Sequence, residues 1–110
     1  MTNAVRVVLI TAPNDEVAEK LARTLVDERL AACVNLLPGV RSIYRWQGKI
    51  EDEREVLLLV KTAADRLTGL MERVREVHPY SVPEILALPV DAGSSAYCDW
   101  VVEETRRVVY

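Results

Sequence analysis

Three runs of this chain are apolar at successive positions rather than alternate ones: Val5 to Ala12 (VRVVLITA), Val56 to Val60 (VLLLV) and Glu84 to Val90 (EILALPV). Each is short, rich in β-branched residues or leucine, and bounded by charged or turn-forming residues, so it reads as strand. Neighbouring side chains on a strand point to opposite faces, so Val5, Val7 and Leu9 share one face while Val8 and Ile10 share the other. Val56, Leu58 and Val60 oppose Leu57 and Leu59 in the same way, and Ile85 and Ala87 oppose Leu86 and Leu88. A sheet covered on one side alternates apolar and polar residues, whereas these strands ask for cover on both sides.

The intervening segments supply cover for one face. Pro13-Asn14-Asp15-Glu16 is a turn and helix start, with Asn14 as cap and two acids where the helix dipole favours them. Val17, Ala18, Leu21, Ala22, Leu25 and Val26 then recur at helical spacing. A second strand runs from Ala32 to Leu37, kinks at Pro38-Gly39 and continues through Arg41 to Trp46. Gln47-Gly48 turns the chain into a third strand, Lys49 to Thr62. Thr62 with Asp65 resembles a capping box for a second helix, whose stripe is Leu67, Leu70, Met71, Val74 and Val77, and His78-Pro79 ends it. Tyr80 to Pro83 leads into the fourth strand, and Gly93-Ser94-Ser95 introduces a last helix carrying Tyr97, Trp100 and Val101.

The order is β-α-β-β-α-β plus a terminal helix, an α+β ferredoxin-like sandwich. Right-handed crossovers place both connecting helices on one face. The terminal helix shields part of the other, and contiguous apolar surface beyond it marks an interface. Strand length agrees: Lys49 to Thr62 spans about 46 Å at about 3.3 Å per residue, while a helix of similar residue count covers only about 22 Å. The second and third strands therefore overhang the domain as a long hairpin ending at Trp46-Gln47-Gly48. An isolated hairpin is marginal in water, so a neighbouring subunit is its expected partner.

Composition narrows the function. The chain's 110 residues make one domain, 1–110, with 14 Lys+Arg against 17 Asp+Glu. That balance offers no basic face for nucleic acid, and the lack of Phe removes the stacking platform of an RNA-recognition sheet. The longest stretch without Asp, Glu, Lys or Arg, Leu30 to Val40, is too short to cross a bilayer. The N-terminus lacks the pattern of a secretory signal, and Cys33 and Cys98 form neither CxxC nor a disulfide framework. A cytoplasmic location is expected.

Little here has the pattern of catalysis. His78 is the only histidine, and no glycine-rich phosphate loop exists. A Cys33–His78 thiol–imidazole dyad competes with the reading of Cys33 as a small core residue in Ala31-Ala32-Cys33-Val34. Glu51, Glu53 and Glu55 share a strand face, and the run reads as a solvated edge rather than a cation site. Tyr44 and Trp46 on the projecting arm anchor a partner or line a pocket. Lys61 interrupts an apolar face, which requires its ammonium to reach a carboxylate or solvent. His78 to Glu84 sets a histidine, a tyrosine and a carboxylate around two prolines.

Leu30 to Asn35 (LAACVN), Ser42 to Ile50 (SIYRWQGKI), Lys61-Thr62 and His78 to Ile85 (HPYSVPEI) resemble, in order and spacing, the signature segments of the CutA family of divalent-cation tolerance proteins. The resemblance runs from Thr11-Ala12-Pro13 to Tyr97 and Trp100. It implies a ferredoxin-like fold, a tight homotrimer similar to the PII signalling proteins, and association with tolerance of copper and other divalent metals. It also implies an inter-subunit cleft involving Cys33, Trp46, Lys61, His78, Tyr80 and Glu84. Some family members carry a cysteine and two histidines as proposed copper ligands. The corresponding positions here are Ile10, Val77 and His78, so only His78 is left to bind copper or another divalent metal, weakly.

The leading expectation is thus a non-enzymatic, trimeric metal-responsive or ligand-sensing protein. A small acylphosphatase-like hydrolase is the alternative enzyme, although Thr11-Ala12-Pro13-Asn14 offers no arginine to a phosphoryl group. A pure interaction scaffold is the third reading, one in which no metal or small molecule changes stability.

Overall fold

A computed structural model describes residues 4–107. In chain order the elements are β1 (Val5–Ala12), α1 (Asp15–Asp27), β2 (Cys33–Trp46), β3 (Lys49–Ala63), α2 (Leu67–Val77), β4 (Ile85–Pro89) and α3 (Ser95–Glu104). The strands form one sheet in the order β2-β3-β1-β4, and each neighbouring pair is antiparallel. This is the α+β ferredoxin-like arrangement that the element order predicts.

One face of the sheet is the core. Val8, Ile10 and Ala12 of β1 pair with Val60, Leu58 and Val56 of β3, and all six are buried. Against them α1 packs Ala18, Leu21, Ala22 and Leu25, and α2 packs Leu70 and Val74. Asn14 caps α1, its Oδ1 accepting from the Val17 amide at 2.9 Å, as the sequence predicts.

The other face is covered only in part. Val5, two residues before Val7 and hence on the open face, is sealed by Cys98 and Val101 of α3. Tyr97 and Trp100 of α3 stand about two-fifths exposed, with their rings in tilted contact. Farther along the same face, Leu86 and Leu88 are 56% and 46% exposed.

The start of α2 departs from expectation. Thr62 is fully buried, and its hydroxyl donates to the Leu30 carbonyl at 2.7 Å, so it does not cap a helix. A 3₁₀ turn, Ala64–Arg66, precedes α2, and the α2 N-cap, Arg66, makes no side-chain cap bond. β4 is also shorter than predicted, starting after Glu84 and ending before Val90.

The hairpin overhangs as expected. β1 pairs with β3 only from Val56 to Ala63, while β2 continues beside β3 down to Trp46 opposite Lys49. From Val40/Glu55 outward the sheet is a two-stranded arm. Its tip has positive φ at both Gln47 (50°) and Gly48 (82°), the pattern of a type I′ turn.

Candidate functional site

The site depends on one irregularity in β2. Leu37 lies opposite Leu57, but the next aligned pair is Val40 with Glu55, so Pro38 and Gly39 together face Val56. This is a β-bulge, and Gly39 sits in it at φ +74°. No atom lies within 4 Å of where a Gly39 side chain would begin, so the glycine is required by its backbone angle and not by crowding. One extra residue inverts the alternation beyond it. Cys33, Asn35 and Leu37 face the open side before the bulge. After it, Tyr44 and Trp46 face that side, opposite Glu51 and Lys49. Without the bulge both rings would lie on the back of the arm.

The inverted register brings aromatic rings and carboxylates together. A cleft of about 760 Å³ is lined by Thr11, Tyr44, Trp46, Glu55, Tyr80 and Glu84, with the Arg41–Ile43 and Ser81–Val82 segments beside them. Glu55 is only 8% exposed, and the Tyr80 hydroxyl donates to its Oε2 at 3.0 Å. Burial, then the Glu55 carboxylate, pushes the Tyr80 phenol up to about 12. Burial and the Glu55 charge likewise hold the Glu84 carboxyl above its ordinary value. The Tyr44 phenol is raised by desolvation first, then by Glu53, Glu55 and Glu51. Arg41 gives little compensation, because its guanidinium is held in a two-point pair with Asp52 at 2.8 and 2.6 Å. The cleft is therefore aromatic and net anionic.

The acidic run does not behave throughout as a solvated edge. Glu55 leaves it for the interior, while Asp52 and Glu53 stay exposed. Among the predicted cleft residues, Trp46, Tyr80 and Glu84 meet here; Cys33 and Lys61 do not. These two are cross-strand partners at the other end of the open face. Six residue steps along β3 separate Lys61 from Glu55, about 20 Å at about 3.3 Å per residue. Lys61 Nζ donates to Asn35 Oδ1 and lies 3.8 Å from Cys33 Sγ, so its ammonium reaches an amide oxygen where a carboxylate or solvent was expected. Tyr97 of α3 lies beside Cys33, its phenol raised by burial and then by the thiol. Sequence reasoning left Thr11 and Glu55 out of the cleft.

His78 stands behind the cleft as a support. It is buried, its Nδ1 accepts the Tyr80 amide at 3.1 Å, and its Nε2 lies 2.7 Å from the Thr11 carbonyl oxygen. An amide only donates and a carbonyl only accepts, so the ring is held with its proton on Nε2. Both ring nitrogens are engaged. The Cys33–His78 dyad is not formed: Thr11, which His78 touches, is opposite Leu57, four residues from the Lys61 that faces Cys33. The residues do not fit a preformed copper centre either. Ile10 is core, Val77 packs against the core, and neither carries a donor atom. Among the described residues no group of three or more His, Cys, Asp or Glu side chains is placed to hold a metal ion.

Comparison with known proteins agrees with this geometry across the chain. The sequence profile of the "CutA1 divalent ion tolerance protein" family matches residues 6–104. A divalent-cation tolerance protein CutA of Thermus thermophilus is 57% identical over 90% of this chain and 96% of its own length. The mouse protein CutA is 49% identical over 96% of this chain, which spans 59% of the mouse protein. The crystal structure of CutA1 from Oryza sativa superposes with a TM-score of 0.92 at 42% identity, covering 97% of this chain and 98% of that one.

Proposed function

The chain belongs to the CutA1 divalent ion tolerance family, and we propose that it works there without catalysis, as a cytoplasmic homotrimer that senses a ligand at clefts between subunits. The observation that carries this reading is the uncovered open face. Leu86 and Leu88 stand about half exposed beside the partly buried rows of β1 and β3, and the arm beyond Glu55 has no third strand. Closed cyclic symmetry covers such a face and every projecting arm at once. It also offers a route by which Cys33 and Lys61 of one protomer approach Trp46, Tyr80 and Glu84 of another. Free Cys33 and Cys98 support a reducing compartment.

Metal enters this reading weakly. Copper or another divalent cation reaches His78 only by displacing the Tyr80 amide from Nδ1, which makes the response to metal a property of the assembly more than of a resident ion. The test is light scattering joined to a thermal-shift screen against divalent metals and common metabolites, since a bound ligand stabilises with the logarithm of its concentration over its dissociation constant. A trimer with a melting point raised by a ligand is expected. A stable monomer at micromolar concentration, or a trimer indifferent to every ligand, overturns the reading.

A further inference from the structure

Away from the aromatic cleft, the open face brings a thiol against an amine. Cys33 and Lys61 are cross-strand partners, so their side chains meet on that face with no movement of the backbone. Lys61 Nζ donates to Cys33 Sγ at 3.8 Å and to Oδ1 of Asn35, which shares the face two residues along β2. The row that Lys61 interrupts is otherwise apolar: Val7 and Leu88 lie level with it on β1 and β4, and Leu59 and Leu57 follow on β3. A lysine in such a row ordinarily reaches outward to keep its ammonium hydrated, whereas this one is turned to sulfur and an amide oxygen.

Cys33 is partly exposed, whereas Cys98, the other free cysteine, is buried with Val5 and Val101. Tyr97 of α3 hydrogen-bonds with the Cys33 thiol. Burial first, then the thiol, raises its phenol, which keeps the hydroxyl protonated as a donor. A thiol open to small oxidants, with a primary amine against it and a hydroxyl beside it, has the parts for a reversible oxidation. Once oxidised to a sulfenic acid, a cysteine condenses with a nucleophile held next to it, a nitrogen included.

We infer that Cys33 and Lys61 are a peroxide-responsive pair, which hydrogen peroxide closes into a covalent Sγ–Nζ sulfenamide. In the first step Sγ takes one oxygen from the peroxide, whose O–O bond breaks, and one water leaves. Sulfur gives up two electrons and the peroxide receives them. In the second step Nζ, having released its ammonium proton to solvent, attacks Sγ with its lone pair. The S–N bond forms and the S–O bond breaks. The departing hydroxide leaves as water with a proton from Nζ, and the Tyr97 hydroxyl donates to that oxygen as it goes. Two equivalents of a thiol reverse the bridge, restoring thiol and amine and pairing with each other as a disulfide. The bridge also removes the one charge in the row of Val7, Leu88, Leu59 and Leu57, leaving the open face neutral there. This site goes beyond the ligand-sensing reading and does not depend on the oligomer.

The experiment treats the full chain with hydrogen peroxide in metal-free buffer and reads intact mass, followed by tryptic mapping. Wild type is expected to lose about 2 Da, the two hydrogens given up in the bridge, and to regain them with dithiothreitol. Trypsin should no longer cleave after Lys61, and the peptide holding Lys61 should stay joined to the one holding Cys33. Cys98→Ala should behave as wild type does. Lys61→Arg keeps the cation but replaces the amine with a poor nucleophile. Its thiol should run on to the sulfinic acid, a gain of about 32 Da that dithiothreitol does not reverse. Far-UV circular dichroism of each variant checks the fold. A wild type that gains oxygen as Lys61→Arg does overturns the inference. A loss of about 2 Da that disappears in Cys98→Ala means a disulfide, and a gain of about 14 Da means an oxygen kept between sulfur and nitrogen; either overturns the sulfenamide. A loss that persists in Lys61→Arg overturns Lys61 as the nitrogen.

Discussion

The Tyr80 hydroxyl and Glu55 Oε2 lie 3.0 Å apart, joining the loop after α2 to the base of the arm through a carboxylate that is nine-tenths buried. A buried charge with a single neutral donor depends heavily on that donor. Tyr80→Phe is therefore expected to lower unfolding free energy by about 1–2 kcal/mol, measured by urea denaturation. The same bond sets a pH dependence. With its phenol raised from 10.0 to about 12, Tyr80 contributes stability that is fully present below 10.0 and is lost as pH rises toward about 12. Tyrosinate absorbance should show a phenol at about 12, later than the raised Tyr44 and Tyr97, that moves earlier in Glu55→Gln. A Tyr80 that titrates with the exposed tyrosines removes the bond from the account.

Gly39 sits in the bulge that leads into the arm. A left-handed residue with a Cβ costs about 1–2 kcal/mol, and Gly39 at φ +74° has open space around it, so Gly39→Ala measures that conformational cost with no clash. A loss of about 1 kcal/mol is expected, with Gly39→Asn milder because asparagine tolerates the left-handed region. Deleting Gly39 removes the bulge and its extra residue together, so Val40 still meets Glu55 and Tyr44 and Trp46 keep the front of the arm. Trp46 fluorescence, read in a Trp100→Phe background, should therefore hold both in Gly39→Asn and on deletion, and a shift on deletion overturns this register.

How much of this was legible in the chain follows from how local each cause is. Gln47-Gly48 and Asn14 act within three or four residues, so turn and cap are readable directly. The Pro38-Gly39 kink is visible too, but its consequence is not: whether a kink adds a residue to the ladder is decided by pairing with Val56 on another strand. Thr62 was misread for the same reason, since its acceptor, the Leu30 carbonyl, lies far back in sequence and outcompetes a local cap. Glu55 is indistinguishable in sequence from its neighbours in a run of charges, and only the arrival of Tyr80 buries it. The hydrophobic pattern, by contrast, encodes both faces of the sheet, because burial on each side leaves its own period-two trace.

The turn at the tip leaves room for improvement. Gln47 holds φ 50°, an angle that asparagine adopts more readily than glutamine. Gln47→Asn should favour the closed turn by about 0.5–1 kcal/mol, which slows amide exchange in the outer arm by about two- to fivefold. Exchange at core positions such as Val8 and Leu58 should stay unchanged, because the arm pairs with no third strand beyond Glu55. Faster exchange in the arm would mean that the glutamine side chain holds a contact more valuable than the backbone preference.

His78 separates a structural role from a metal-binding one. Its ring fastens the Thr11 carbonyl to the Tyr80 amide, one from the end of β1 and the other from the start of the cleft loop. Removing it in His78→Ala leaves a buried acceptor and a part-buried donor without partners, an expected loss of about 2–6 kcal/mol at roughly 1–3 kcal/mol for each orphaned group. His78→Gln, which keeps a donor and an acceptor, should recover part of it. Calorimetry with copper(II) and zinc(II) then reads the other role. Wild type should bind either ion weakly, because coordination at Nδ1 has to break the hydrogen bond to Tyr80, and His78→Gln should bind more weakly still. Tight binding retained in His78→Gln places the metal elsewhere, and the Cys33–Lys61 end of the open face, with its partly exposed thiol, becomes the position to test by Cys33→Ser.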